Sequence, residues 1–217
     1  MRPYFAEAAG TFGLVFFGCG SILLAGEGLL WSIVICCVFG IAVWAMISIF
    51  GNTSGAHINP AVSVAFCIEG RLPKLQMLGY VTAQCLGAII AGYSLLIMSG
   101  NSNLGSTTTS LPIWQAFIIE VAITCLLMLS ILWAAIPNAS IQRIALVVGS
   151  AVAILAFITG SFTGASMNPA RSIGPAIPEG MFELLWMYIL APIIGAILAV
   201  PLWNKISTKH LIDWVYY

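Results

Sequence analysis

Residues 54–63 read SGAHINPAVS, and residues 163–172 read TGASMNPARS. Gly-Ala, Asn-Pro-Ala and a closing Ser recur at one spacing, 109 residues apart. Asn before Pro marks a helix start, because the Asn side chain caps free backbone N–H groups and Pro fits the first helical position. Apolar residues follow in both copies. From Pro60 to Ile68 is nine residues, about 13 Å at 1.5 Å rise per residue and roughly half of a hydrocarbon core. Each decapeptide therefore predicts a half-helix, too short to cross a bilayer.

The surrounding composition says that a bilayer is there. Of 217 residues, 61% are hydrophobic and 6% charged, against roughly 25% charged in soluble domains. Such a chain cannot clothe a water-facing surface, so it is read as an all-α integral membrane protein. Long continuous apolar runs favour helices over the alternating pattern of a barrel. Six runs of about 20 residues fall at 4–25, 31–50, 74–98, 112–135, 142–160 and 184–205. The opening MRPYFAEAAGTF leads directly into the first, which is read as a spanning helix and not a removed signal. Residues 99–110, polar and uncharged, are expected to form a solvent-exposed connector.

Net charge is zero, which argues against nucleic acid as a partner. The six cysteines lie in apolar runs at no metal or redox spacing and are read as small hydrophobes. His57 has no partner at ligand spacing, so no metal and no cofactor is predicted. No nucleophile–base set is present, so the chain is not read as an enzyme.

The repeat extends past the decapeptides. Glu7 precedes Thr11 as Glu120 precedes Thr124, and YVTAQCLGA from Tyr80 parallels YILAPIIGA from Tyr188. This predicts one channel domain, 1–205, made of halves at about 1–98 and 112–205, followed by a cytoplasmic tail, 206–217. Three spans per half is odd, so the second half is inverted and the half-helices enter from opposite faces to meet near the midplane. With the N-terminus inside, Arg2, Arg71, Lys74, Arg143, Lys205 and Lys209 are all cytoplasmic, a positive-inside bias.

Non-helical backbone at membrane depth must be buried in protein or line a wet cavity. The carbonyls of Gly55, Ala56, His57 and Ile58, and of Gly164, Ala165 and Ser166, are therefore expected to form two acceptor ladders. At their meeting point Asn59 and Asn168 offer N–H donors, and each half-helix brings about half a positive charge. A small neutral solute could exchange its water for these groups, whereas a cation or a proton would be refused. Arg171 is expected at an outer constriction, because Val62 holds the equivalent place in the other half. Glu7 and Glu120, being duplicated, are read as braces for the irregular loops and not as a proton relay. For His57 a bracing role and a pH-sensing role both stand. An ion-coupled secondary transporter is the reading from another class, since those proteins also use inverted repeats.

Asn59-Pro60-Ala61 and Asn168-Pro169-Ala170, with Glu in the first and fourth spans, resemble the aquaporins (major intrinsic proteins) over residues 4–205. The resemblance implies an hourglass of six transmembrane helices plus two re-entrant half-helices, a homotetramer in the membrane lipid with one pore per protomer, and passive flow of water or small neutral solutes. It also implies a selectivity filter at Phe39, Ala156, Ala165 and Arg171. Water-selective members usually carry His in place of Ala156; glycerol facilitators carry Trp in place of Phe39 and Asp in place of Ser172. GASMNPARSIGPAI is instead similar to the nodulin-like intrinsic proteins and their bacterial relatives, in which a Phe-Ala-Ala-Arg filter is associated with metalloid hydroxides. Arsenous acid, related hydroxides, glycerol-like polyols and some water are the expected permeants, across a bacterial inner membrane. A water-selective aquaporin is the alternative.

Overall fold

A computed structural model describes residues 1–100 and 103–215, with side chains through Ser207. Among the described residues there are eight helices and no strand: α1 Arg2–Leu24, α2 Leu29–Ser54, α3 Pro60–Ile68, α4 Lys74–Ser99, α5 Ile113–Ala134, α6 Ile141–Thr163, α7 Pro169–Glu179 and α8 Leu185–Val215. Six of them are long and apolar enough to cross a membrane, α8 through Ser207. The short α3 and α7 are the half-helices, and α3 keeps the bounds its sequence predicted. The predicted tail is a helical continuation of α8 as far as Val215; its aromatic side chains lie outside the described residues.

The packing repeats as the sequence does. α1 lies on α2 and α4 just as α5 lies on α6 and α8, while α7 packs on α4 and α3 on α8. Each half-helix thus leans on the last span of the opposite half, and α2 meets α6 across the pseudo-two-fold axis. Small residues let these helices approach closely, as membrane interfaces require. A Cβ on Gly87 would stand 2.1 Å from Ala8 O, and one on the equivalent Gly195 would stand 2.3 Å from Val121 O. Side chains such as Ile41, Leu86, Ile158 and Leu198 point outward and are exposed, the arrangement of helices solvated by lipid tails.

One expectation holds only in part. Among the described residues of the connector between α4 and α5, Asn103, Thr108 and Ser110 are exposed, but Leu104, Gly105 and Thr107 are buried. Leu104 N donates to Glu179 Oε1, and Thr107 Oγ1 lies 2.5 Å from Ser172 Oγ. Ser110 N donates to Phe162 O at 3.0 Å. A polar, uncharged segment serves equally well as a lining for a wet cavity, because its hydroxyls satisfy backbone groups that would otherwise be stranded.

Candidate functional site

The site begins with two turns that break the helical ladder. α2 ends on Gly55 and α6 on Gly164, both left-handed (φ 88° and 73°), a conformation glycine adopts without steric penalty. Four non-glycine residues then share that region: Ala56 (46°) and Ile58 (45°) in the first turn, Ala165 (43°) and Met167 (53°) in the second. Such residues are strained by about 1–2 kcal/mol each, so each turn must be held from outside.

The holding groups are carboxylates. Glu7 is wholly buried; its Oε1 accepts from Ser54 Oγ (2.6 Å) and His57 N (2.9 Å), its Oε2 from Ile58 N and Gln84 Nε2 (both 2.7 Å). Glu120, equally buried, accepts from Thr163 Oγ1 (2.8 Å) and Ser166 N (3.0 Å) on Oε1, and from Met167 N (3.0 Å) on Oε2. Tyr80 donates to Ser54 O and Tyr188 to Thr163 O, both at 2.8 Å. Thr11 and Thr124 each return a hydroxyl hydrogen bond of 2.7 Å to the carbonyl of the glutamate four residues earlier.

With the turns fixed, the half-helices start at the prolines. Asn59 Oδ1 accepts from Ala61 N (2.9 Å); Asn168 Oδ1 accepts from Ala170 N (3.0 Å) and Arg171 N (3.4 Å). Pro60 and Pro169 occupy the first turns, and Ala61 and Ala170 are fully buried where the half-helices start. The amides also reach across the axis: Asn59 Nδ2 donates to Met167 O at 2.8 Å, and Asn168 Nδ2 to Ile58 O at 2.9 Å. Two positive helix ends therefore converge on one point, strapped together by reciprocal bonds. The sequence offered no signal for Met167 as a partner, because its role is played by a carbonyl that every residue has.

A cavity of about 990 Å³ passes this point. Gly55, Ala56, His57, Ile58 and Asn59 face it from one turn, and Gly164, Ala165, Ser166, Met167 and Asn168 from the other. Val43, Ile47, Val62, Leu127, Val148 and Val152 add apolar side chains to its lining. Phe39, Ala156, Ala165 and Arg171 also line it. The Arg171 Cζ stands 5.0 Å from the centre of the Phe39 ring, within reach of a cation–π interaction. Arg171 Nη1 donates to Gly105 O at 2.8 Å, so the buried guanidinium is anchored by the folded-back connector while facing the cavity. Ser172 does not line this cavity; its Oγ is 2.6 Å from Ser166 Oγ as well as bonded to Thr107.

The opposite mouth is built differently. His57 Nδ1 lies 3.1 Å from Ser63 Oγ, and its ring sits against Phe66 and Tyr80. Arg71, counted in the sequence only for its charge, lines the cavity here, donating to Ala135 O (2.9 Å) and Glu69 Oε1 (2.7 Å). Cys36 also lines the cavity, a placement its apolar run concealed.

Residues 1–203 match the profile of the family described as Major intrinsic protein. Similar proteins include "Aquaporin NIP1-1" of Zea mays, 38% identical over 212 residues, 95% of this chain and 75% of that protein. "Nodulin-26" of Glycine max is 39% identical over 210 residues, 94% of this chain and 77% of that protein. Among solved structures, that of the aquaglyceroporin from Plasmodium falciparum is similar with a TM-score of 0.88 at 25% identity, over 98% of each chain.

Proposed function

From the premise that this chain belongs to the major intrinsic protein family, whose members are multi-pass membrane channels and not enzymes, we propose that it carries small neutral solutes passively through the cavity between α3 and α7. The permeants in this reading are arsenous acid and related metalloid hydroxides, glycerol-like polyols and some water. Ions and protons are excluded. The observation that carries it is a cavity lined both by the two turns with the Asn59 and Asn168 amides and by apolar side chains such as Val43, Ile47, Leu127 and Val148. A polyol or a trihydroxide presents hydroxyls on one side and little polarity on the other, and such a lining matches both.

The filter in this proposal is Phe39, Ala156, Ala165 and Arg171. Two alanines leave room opposite the phenyl ring, while Arg171 keeps donors for a solute oxygen. Glu7 and Glu120 serve as braces: each accepts backbone N–H groups and neither lines the cavity, which takes both buried carboxylates out of the path a coupled transporter would need them in. The similar solved structure is that of an aquaglyceroporin, in keeping with solutes larger than water. Residues 1–205 form the channel unit, assembled as a homotetramer. In this reading both termini are cytoplasmic, on the side that carries most of the basic residues. The relatives named above are plant proteins and lend no support to a bacterial inner membrane.

Stopped-flow flux in proteoliposomes tests the reading, with water, glycerol, boric acid and arsenous acid as the panel. Fast passage of the larger neutral solutes is expected, indifferent to protonophores. Water flux alone would return the chain to the water-selective channels, and accumulation against a gradient would make it a transporter. Ala156→His should narrow the filter and suppress glycerol by about tenfold or more, the discrimination that one group in a tight apolar site provides. Unchanged glycerol flux in that variant would mean that the constriction lies elsewhere.

A further inference from the structure

Phe39 packs against a glycine absent from the cavity wall. Gly18 is buried in the interior of α1, where glycine is disfavoured relative to alanine. A Cβ added there would stand 2.3 Å from Cε1, 2.5 Å from Cδ1 and 2.8 Å from Cζ of Phe39. Carbon atoms in contact settle at roughly 3.5–4.0 Å, so no side chain fits while the ring stays where it is. The other tightly packed glycines of the first half serve different neighbours. Gly13 gives room to the flexible end of Met46, and Gly40 lies against the Gly149 carbonyl where α2 crosses α6. At Gly18 the three nearest atoms all belong to one ring, that of Phe39.

The ring is bounded on one side by α1 and on another by the Arg171 guanidinium, which the connector anchors at Gly105 O. The ring also lines the cavity. We propose that Gly18 is a specificity-positioning residue: it recesses Phe39 into α1 and thereby sets the aperture between the phenyl ring, Ala156 and Ala165. The inference rests on the proposed filter. It adds that the four filter residues do not determine the aperture alone, since the same four with alanine at position 18 would leave a narrower opening.

The test is a two-by-two comparison of the full chain in proteoliposomes, with glycerol and water flux measured for the parent, Gly18→Ala, Phe39→Ala and the double variant. Gly18→Ala is expected to slow glycerol about tenfold or more and water by a smaller factor. Phe39→Ala is expected to speed glycerol, and Gly18→Ala is expected to have no further effect once the ring is gone. Equal slowing of glycerol and water, slowing that persists without the ring, or no slowing at all would each overturn the inference. If Phe39→Ala leaves glycerol flux as it was, the filter assignment itself has failed and this inference falls with it. Should Gly18→Ala fail to reconstitute, recovery in the double variant supports the seat for the ring, and continued failure overturns it.

Discussion

The turn before α3 and the turn before α7 share a scaffold that matches in all but one donor to its glutamate. In each, a glutamate from the first span of its half takes two successive backbone N–H groups, His57 and Ile58 or Ser166 and Met167. In each, a tyrosine from the third span closes the last carbonyl of the second. The residues facing the cavity do not match in this way. Where the second turn is followed by Arg171, the first is followed by Val62; where the first holds His57, the second holds Ser166. The common part is what irregular backbone at membrane depth demands of any sequence. The part that differs is what solute meets, and it makes the two mouths chemically unlike.

The comparison can be broken most severely at the carboxylates. Glu7→Ala strands four donors and Glu120→Ala three, and each buried group left unpaired costs about 1–3 kcal/mol. Both variants should lose the monodisperse peak in fluorescence-detected gel filtration after mild heating, Glu7→Ala at the lower temperature. A Glu7→Ala chain that melts like the parent would show that the turns hold themselves.

Making the mouths alike is the next largest change. Arg171→Val puts the first half's residue into the second and removes a fixed positive charge from a poorly solvated wall. Cation leak, followed by a pH-sensitive dye inside liposomes under a clamped potential, should rise by at least about tenfold, since a unit charge at low dielectric is worth more than the 1.4 kcal/mol of a tenfold change. An unchanged leak would assign the whole barrier to the converging helix ends.

Smaller effects separate the two caps. Asn59→Ala and Asn168→Ala each remove one bond across the axis, but Asn168 caps two N–H groups and Asn59 one. A lost cap costs about 0.5–2 kcal/mol, so Asn168→Ala should melt lower in detergent. The reverse order would mean that the longer of its two cap bonds contributes nothing.

Gln84→Met is expected to matter least. It deletes a donor to Glu7 and Ser63, yet also removes Gln84 Oε1, a buried atom without a partner. The net change should stay within about 1 kcal/mol, because the second half manages with Pro192 at the equivalent position and one donor fewer on its glutamate. A large loss of melting temperature would show the halves to be less interchangeable in scaffold than their bonding suggests.

Much of the fold was legible in the sequence, because lipid leaves few choices. A long apolar run must be a helix, and Asn-Pro after Gly and Ser fixed the start of α3 at Pro60. The inverted arrangement followed from counting three spans per half. The end of α7 was not legible. The helix runs through Pro175 and Pro178 to Glu179, past residues that usually stop one. The buried part of the connector was not legible because its hydroxyls look like those of any solvent loop, while its partners at Ser161, Phe162, Arg171 and Ser172 lie 51 to 66 positions away. Gly18 was silent for a related reason. A missing side chain acquires meaning only beside the ring that fills its place.

The amides that reach across the axis, Asn59 to Met167 and Asn168 to Ile58, join residues 108 and 110 positions apart. Neither turn can be finished by its own half of the chain. During synthesis the early half must wait in the bilayer with its tip unclasped until the late half arrives. The aperture is therefore a property of the completed protein.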